Sequence, residues 1–345
     1  MRVRLVSTLK GGEKLAEPVI TEEKETLISK GTILKPEYLD LISFLGIDTV
    51  CIVDPYESEE KPHYIVDRGK KEEYINEVRK ILGKHIYRGK DSLEQIKPLA
   101  DKIVENLLSA DENIVIDMEE RNGNLYEHTV EVTLLAVMVA KKLGLEKESL
   151  RQVALGCLLH DLGLRYITVP YINYDIEKSS AAEAFEYRKH TILAYSVLEE
   201  EEWLEELPKK MVLTHHERKD GSGFPLRQKT REIECKILQA CDALDCAMCG
   251  MECKRSRIQH ILEYLVEASD ILYEKSVTKV IQRLVARYPV GTKVRLTTGE
   301  LGIVIAQSSN SIRPVIRVLD EQDNLTNISY ELNRNKKVNI LQIEE

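Results

Sequence analysis

The stretch "LRQVALGCLLHDLGL", residues 150–164, decides how the rest of the chain is read. Leu150, Val153, Ala154, Cys157 and Leu158 recur at the spacing of a single helix face, so the run predicts a buried helix. It ends on His160 and Asp161, two polar residues at the close of an apolar pattern. An aspartate in such a place costs free energy unless it is paired or bound to a cation. The chain around it must supply the partner.

Outward from this segment the helical period persists. "EYINEVRKILGKHI", "SLEQIKPLADKIVENLLS", "HTVEVTLLAVMVAKKLGL" and "HILEYLVEASDILY" repeat the same recurrence, and together they predict a mainly α core between about 73 and 285. The flanks differ. Residues 1–56 carry short apolar runs broken by Gly and Pro around one helical stretch, "KPEYLDLISFLGI", which predicts a small α+β module. Residues 57–72 are polar and charged and suit a linker, so 57–119 is read as linker and lead-in helices before a domain over 120–285. From 286 to 345, "TKVRLTTGELGIVIAQ", "RPVIRVLDEQDN" and "KKVNILQI" alternate apolar and polar residues between turns, predicting a small β domain.

Composition bounds the function. A chain of 345 residues with 43% hydrophobic and 31% charged residues is globular and long enough for about two or three domains. A net charge of −9 argues against duplex nucleic acid as a partner. No run approaches the ~20 apolar residues of a membrane span, and "MRVRLVSTLKGGEKL" lacks a signal-peptide core, so the expected location is cytoplasmic. The seven cysteines fit no zinc-ribbon spacing; even Cys246 and Cys249, formally a CxxC, are read as small core residues in a reducing compartment.

Five of the eight histidines, His128, His160, His190, His215 and His216, fall in the helical region, and Asp242 sits in a second apolar helix, "KILQACDALD". A lone histidine on a helix is ordinarily a hydrogen-bonded core residue. Five of them with two aspartates, all from apolar contexts, fit a two-metal site with Asp161 bridging. Mixed imidazole and carboxylate ligation suits Fe, Mn or Zn rather than Ca or Mg alone. His63, His85 and His260 lie outside this set and are given no site.

"HD" at 160–161, then His190, then "HHERKDGSGFP" at 215–225, then "ACDALD", is an ordered signature that resembles the HD-GYP family of the HD phosphohydrolase superfamily. The resemblance covers about 120–285 and implies an HD-type helical bundle that hydrolyses cyclic di-GMP, to a linear dinucleotide or to GMP, in bacterial signalling. It implies two divalent ions, Fe or Mn, held by His128, His160, Asp161, His190, His215, His216 and Asp242, with His160 and Asp161 at the catalytic centre. It implies that Asp220, Gly221, Ser222 and Gly223 shape the pocket lip, that Phe224 meets the nucleotide, and that Lys254 and Arg255 contact phosphate. The segments before and after the domain are similar to modules that flank it in the family; a homodimer or a docked signalling partner is compatible with the N-terminal one.

Departures from the family pattern thin the substrate contacts. Leu164 stands where the family has a lysine, Phe224 where it has a tyrosine, Met251 where it has an arginine, and Asn124 where some members have a glutamate for a third ion. The complete ligand set favours an enzyme, because a scaffold gains little from seven costly polar side chains. The lost cations favour the other class, a weakly active or inactive module that senses a nucleotide or docks a protein. A nucleotide phosphohydrolase of the wider superfamily fits less well, since such proteins lack the "HHExxDGxGxP" block.

Overall fold

A computed structural model describes residues 2–21, 25–53, 56, 62–88, 90–111 and 114–344. The chain divides into two compact units, and each is built from separated stretches: residues 1–63, 115–122 and 286–345 form one, and residues 64–114 and 123–285 the other. The N-terminal module and the C-terminal β segment thus share a unit.

In that first unit, β1 (Arg2–Leu5) pairs antiparallel with β4 (Thr49–Ile52), β2 (Val19–Ile20) with β3 (Thr26–Ile28), and α1 (Pro36–Phe44) lies between. β5 (Lys293–Leu296), β6 (Leu301–Ala306), β7 (Val315–Leu319), β8 (Leu325–Glu331) and β9 (Ile340–Ile343) form an antiparallel sheet in the order β8-β7-β6-β5-β9. The alternation seen in the sequence becomes a face of Val294, Leu296, Val304 and Ile316 turned into a small core. Asp117 ties the stretches together. Its buried carboxylate accepts the backbone N–H of His63 (3.0 Å) and Val290 (2.9 Å) and the side-chain amide of Gln307 (2.9 Å).

The second unit is helical: α2 (Arg68–Arg88), α3 (Ile96–Leu108), α4 (Leu125–Lys142), α5 (Lys147–Leu159), α6 (Ala181–Glu199), α7 (Glu206–Thr214), α8 (Ile233–Cys249), α9 (Ile258–Glu267) and α10 (Lys275–Leu284). α2 begins at Arg68, so the end of the charged stretch read as a linker is helix, with the Asp67 carboxylate accepting the Lys70 N–H at its start (2.9 Å). Residues 57–61 of that stretch lie outside the described residues. α4 is the central rod, buried along most of its length and packed on α5, α8 and α2. Asn124 caps it, its side chain accepting the N–H of Tyr126 (3.1 Å) and Glu127 (3.2 Å). Among the described residues no helix is long and apolar enough to cross a membrane.

Candidate metal centre

Three helix ends and two helix interiors supply the polar cluster. His128 comes from the first turns of α4 and Asp242 from the middle of α8. His160 and His215 are the residues that terminate α5 and α7, and His190 lies within α6. All seven residues singled out from the sequence converge, each at most 4% exposed. Gly163 permits the convergence of two of them: a Cβ there would stand 1.8 Å from the carbonyl oxygen of His190, so only a glycine lets the His160–Asp161 turn meet α6.

The imidazoles are oriented by what their outer nitrogens touch. Nδ1 of His160, His190 and His215 lies 2.7 Å from the carbonyl oxygens of Cys157, Tyr187 and Val212, three residues back on their own helices. His128 Nδ1 lies 2.7 Å from the buried carboxylate of Asp245. A carbonyl or carboxylate oxygen accepts, so each Nδ1 carries the hydrogen and each Nε2 presents a lone pair. Those lone pairs meet in twos. His128 and His160 Nε2 are 3.1 Å apart, and so are His190 and His215 Nε2. Facing lone pairs repel unless a proton or a cation lies between them, and two nitrogens each ~2.0–2.1 Å from one ion stand at about this separation.

Asp161 addresses both pairs. Its Oδ2 is 3.4 Å from Nε2 of His128 and of His160, while its Oδ1 is 3.6 Å from Nε2 of His190 and of His215. Asp242 Oδ1 joins the first pair, 3.2 Å from His128 and 3.5 Å from His160, and its Oδ2 faces His216 Nδ1 at 3.8 Å. The donors therefore gather around the two histidine pairs, with Asp161 reaching both pairs and Asp242 reaching the first pair and His216. Oxygen and nitrogen donors at this spacing fit divalent ions.

The electrostatics agree with that division. Burial opposes ionisation of Asp161, but His160, His128 and His215 outweigh it and hold the carboxyl well below its usual range. Burial likewise opposes Asp242, and His128, His160 and His216 prevail. Burial pushes the His190 imidazole down to about 4 and, with His215, takes His216 well below its ordinary value, which leaves both neutral as a ligand must be. His128 and His160 run the other way. Burial lowers them, but Cys246 with Asp161, Asp242 and Asp245 raises the first, and Asp161 with Asp242 raises the second.

The loop after His216 is built on Glu217, whose buried carboxylate accepts the N–H of Leu226 (2.6 Å), Arg227 (2.9 Å) and Gln228 (3.0 Å). Gly223 packs where a Cβ would lie 2.4 Å from the His216 carbonyl oxygen, and Gly221 takes a positive φ of 87°. Asp220 is exposed and closes the turn by accepting the Ser222 N–H and hydroxyl (2.9 and 2.7 Å). The Phe224 ring stacks on His216 at 4.5 Å, so one of its faces is already taken. Lys254 and Arg255 are exposed. Leu164 and Met251, where the resemblance would place cations, lie in a buried apolar cluster with Tyr187 and Cys246.

Reading by sequence missed Asp245, Glu217 and Glu252, and took Cys246 for plain core. Cys246 Sγ lies 3.5 Å from Asp242 Oδ1 and 4.0 Å from His128 Nε2, one helical turn from Asp242 on the same face of α8. The "DALD" spacing could have indicated Asp245, since i and i+3 share a helix face. Among the described residues no cysteine is in a disulfide.

The HD domain family matches residues 125–247. A cyclic di-GMP phosphodiesterase of Pseudomonas aeruginosa is 28% identical over 190 residues, 54% of this chain and 45% of that protein. Another cyclic di-GMP phosphodiesterase, from Thermotoga maritima, is 26% identical over 220 residues, 58% of each. The chain spans about half the length of these relatives. In fold it is similar to an HDG"Y"P protein from Bdellovibrio bacteriovorus, at 17% identity and a TM-score of 0.54 over 81% of this chain and 97% of that one.

Proposed function

We propose that this chain, whose residues 125–247 match the HD domain family and carry the HD-GYP order of motifs, is a metal-dependent phosphodiesterase acting on a cyclic dinucleotide, cyclic di-GMP first among them. The observation that carries the reading is the pair of facing Nε2 couples, each 3.1 Å apart, with one oxygen of Asp161 turned to each. His128, His160, Asp161 and Asp242 would hold one ion, and Asp161, His190, His215 and His216 the other, Fe or Mn as the resemblance implies. Two such ions supply Lewis acidity toward the phosphodiester and a water that ionises near neutral pH.

The chain's own residues do the rest. Asp161 keeps the two halves in one register, and the carbonyls behind His160, His190 and His215 lock their tautomers. Phe224 covers the ring of His216 and keeps water from that side. Gly223 brings the loop against the backbone of His216, so that Asp220 and Ser222 form a lip rather than a lid.

A second reading is favoured by the apolar filling at Leu164 and Met251: a family member that binds a cyclic dinucleotide, or a protein, with little hydrolysis. One experiment separates the two. Metal content of anaerobically purified protein is measured beside turnover of cyclic di-GMP with added Mn²⁺ or Fe²⁺, and the products are separated by chromatography. About two ions with turnover supports the enzyme, and ions with nucleotide binding but no turnover supports the sensor. Absence of bound ions sinks the enzyme and returns the paired histidines to an ordinary core role.

A further inference from the structure

Four of the five converging histidines are anchored through the nitrogen that faces away from the cluster; His216 is the exception. It is 2% exposed, and neither of its ring nitrogens has a hydrogen-bond partner among the described residues. Its Nδ1 faces Asp242 and the ligand cluster, and its Nε2 points to one carboxylate, Glu252, whose Oε2 is 3.6 Å away. Resting on the two-ion reading, we infer that Glu252 is the positioning residue for His216, the acceptor that fixes its ring and tautomer so that Nδ1 meets the ion.

The local structure is arranged to hold that carboxylate in place. Glu252 follows the end of α8, where Gly250 takes a positive φ of 76°. It takes a left-handed backbone conformation itself, φ 54°, a position a non-glycine side chain occupies only when its surroundings dictate it. Its backbone is pinned on both sides: its N–H donates to the Tyr171 carbonyl (2.6 Å), and its carbonyl accepts from the Ile176 N–H (3.0 Å). Its side chain receives the Tyr187 hydroxyl at 2.5 Å on the same Oε2 that faces His216. The Tyr187 carbonyl meanwhile anchors His190. One tyrosine therefore braces two histidines of the same ion set, His190 through its backbone and His216 through Glu252. Outer partners of metal-bound histidines orient the ring and raise its basicity, and their loss weakens metal binding roughly 10–100-fold.

The test is a metal titration of the full chain and three variants with Co²⁺, read both as ions bound per chain and as the visible absorption of the bound ion. The expected result is two ions in the parent chain. In Glu252→Ala one of the two should bind roughly 10–100-fold more weakly with an altered spectrum, and the other should keep its affinity. Glu252→Gln, which keeps an acceptor oxygen, should fall between the two, and Tyr187→Phe should produce a smaller shift of the same ion. Metal-free thermal unfolding of Glu252→Ala should match that of the metal-free parent. Equal affinities and spectra in parent and Glu252→Ala overturn the inference, as does a metal-free stability loss that accounts for the weakened binding. Three ions in the parent and two in Glu252→Ala also overturn it, because Glu252 would then ligate an ion of its own. A parent chain that binds no Co²⁺ sinks the two-ion reading itself, a different result from any of these.

Discussion

Asp161 presents one oxygen to each histidine pair, and no other described side chain does so. Asp161→Asn should therefore abolish hydrolysis and bring ion content below one per chain, with helicity by circular dichroism unchanged; a loss of helicity would mark the pair as structural. Asp245 gives a gentler case. It touches His128 only through Nδ1, so Asp245→Asn should leave the ion count alone and weaken metal affinity about 10–100-fold in a chelator competition. These two residues also mark what is readable in a sequence. Most of the seven converging side chains are polar groups beside apolar runs, which is conspicuous because their burial is costly alone. Asp245, Glu217 and Glu252 have roles set by approach in space: a contact 117 residues away, a loop folded back on a carboxylate, a strained turn. Spacing along the chain encodes none of that.

Helices were legible because their buried faces repeat, and where they stop was legible only in part. α5 ends at Leu159 and a short 3₁₀ turn runs from Leu162 to Tyr166, so that "HDLGL", read as the tail of one helix, is the corner that turns the chain toward α6. Gly163 is the residue that makes this corner. Gly163→Ala should destabilise the chain by about 3 kcal/mol or more, beyond ordinary overpacking, because the new carbon meets a backbone oxygen rather than a side chain that can swing away; urea unfolding would register it as a lower midpoint. Asn124 belongs to the same scale. The resemblance placed it where some relatives hold a metal-binding glutamate, whereas its side chain is occupied with the first turn of α4. Asn124→Ala should lower stability by about 1 kcal/mol with ion content unchanged.

At the scale of the molecule, four consecutive regions read along the sequence become two units that each collect separated stretches. Residues 115–122 carry no periodic pattern, and the bonds that bind them, Asp117 to Val290 and to Gln307, span 173 and 190 residues. Neither composition nor period reports such a pairing. Asp117→Ala would leave three N–H donors without their acceptor and should cost at least about 2 kcal/mol in the unfolding of the β-containing unit. Removing metal should act on the other unit. If two ions are bound at a hundredfold excess over their dissociation constants, chelation should lower the stability of the helical unit by about 2.7 kcal/mol per ion, seen as a lower melting temperature for that unit.

The threading of Asp117 also carries a timetable. A ribosome makes the chain from the amino end, and the last ligand of the cluster, Asp242, and the last helix beside it, α10, precede residue 285 in that order. Val290, Gln307 and the whole five-stranded sheet come later. The helical unit can close on its histidines while Asp117 still waits for two of its three partners. A pause in translation once α10 has cleared the ribosome would thus leave a nascent chain competent to capture ions before its five-stranded sheet is complete.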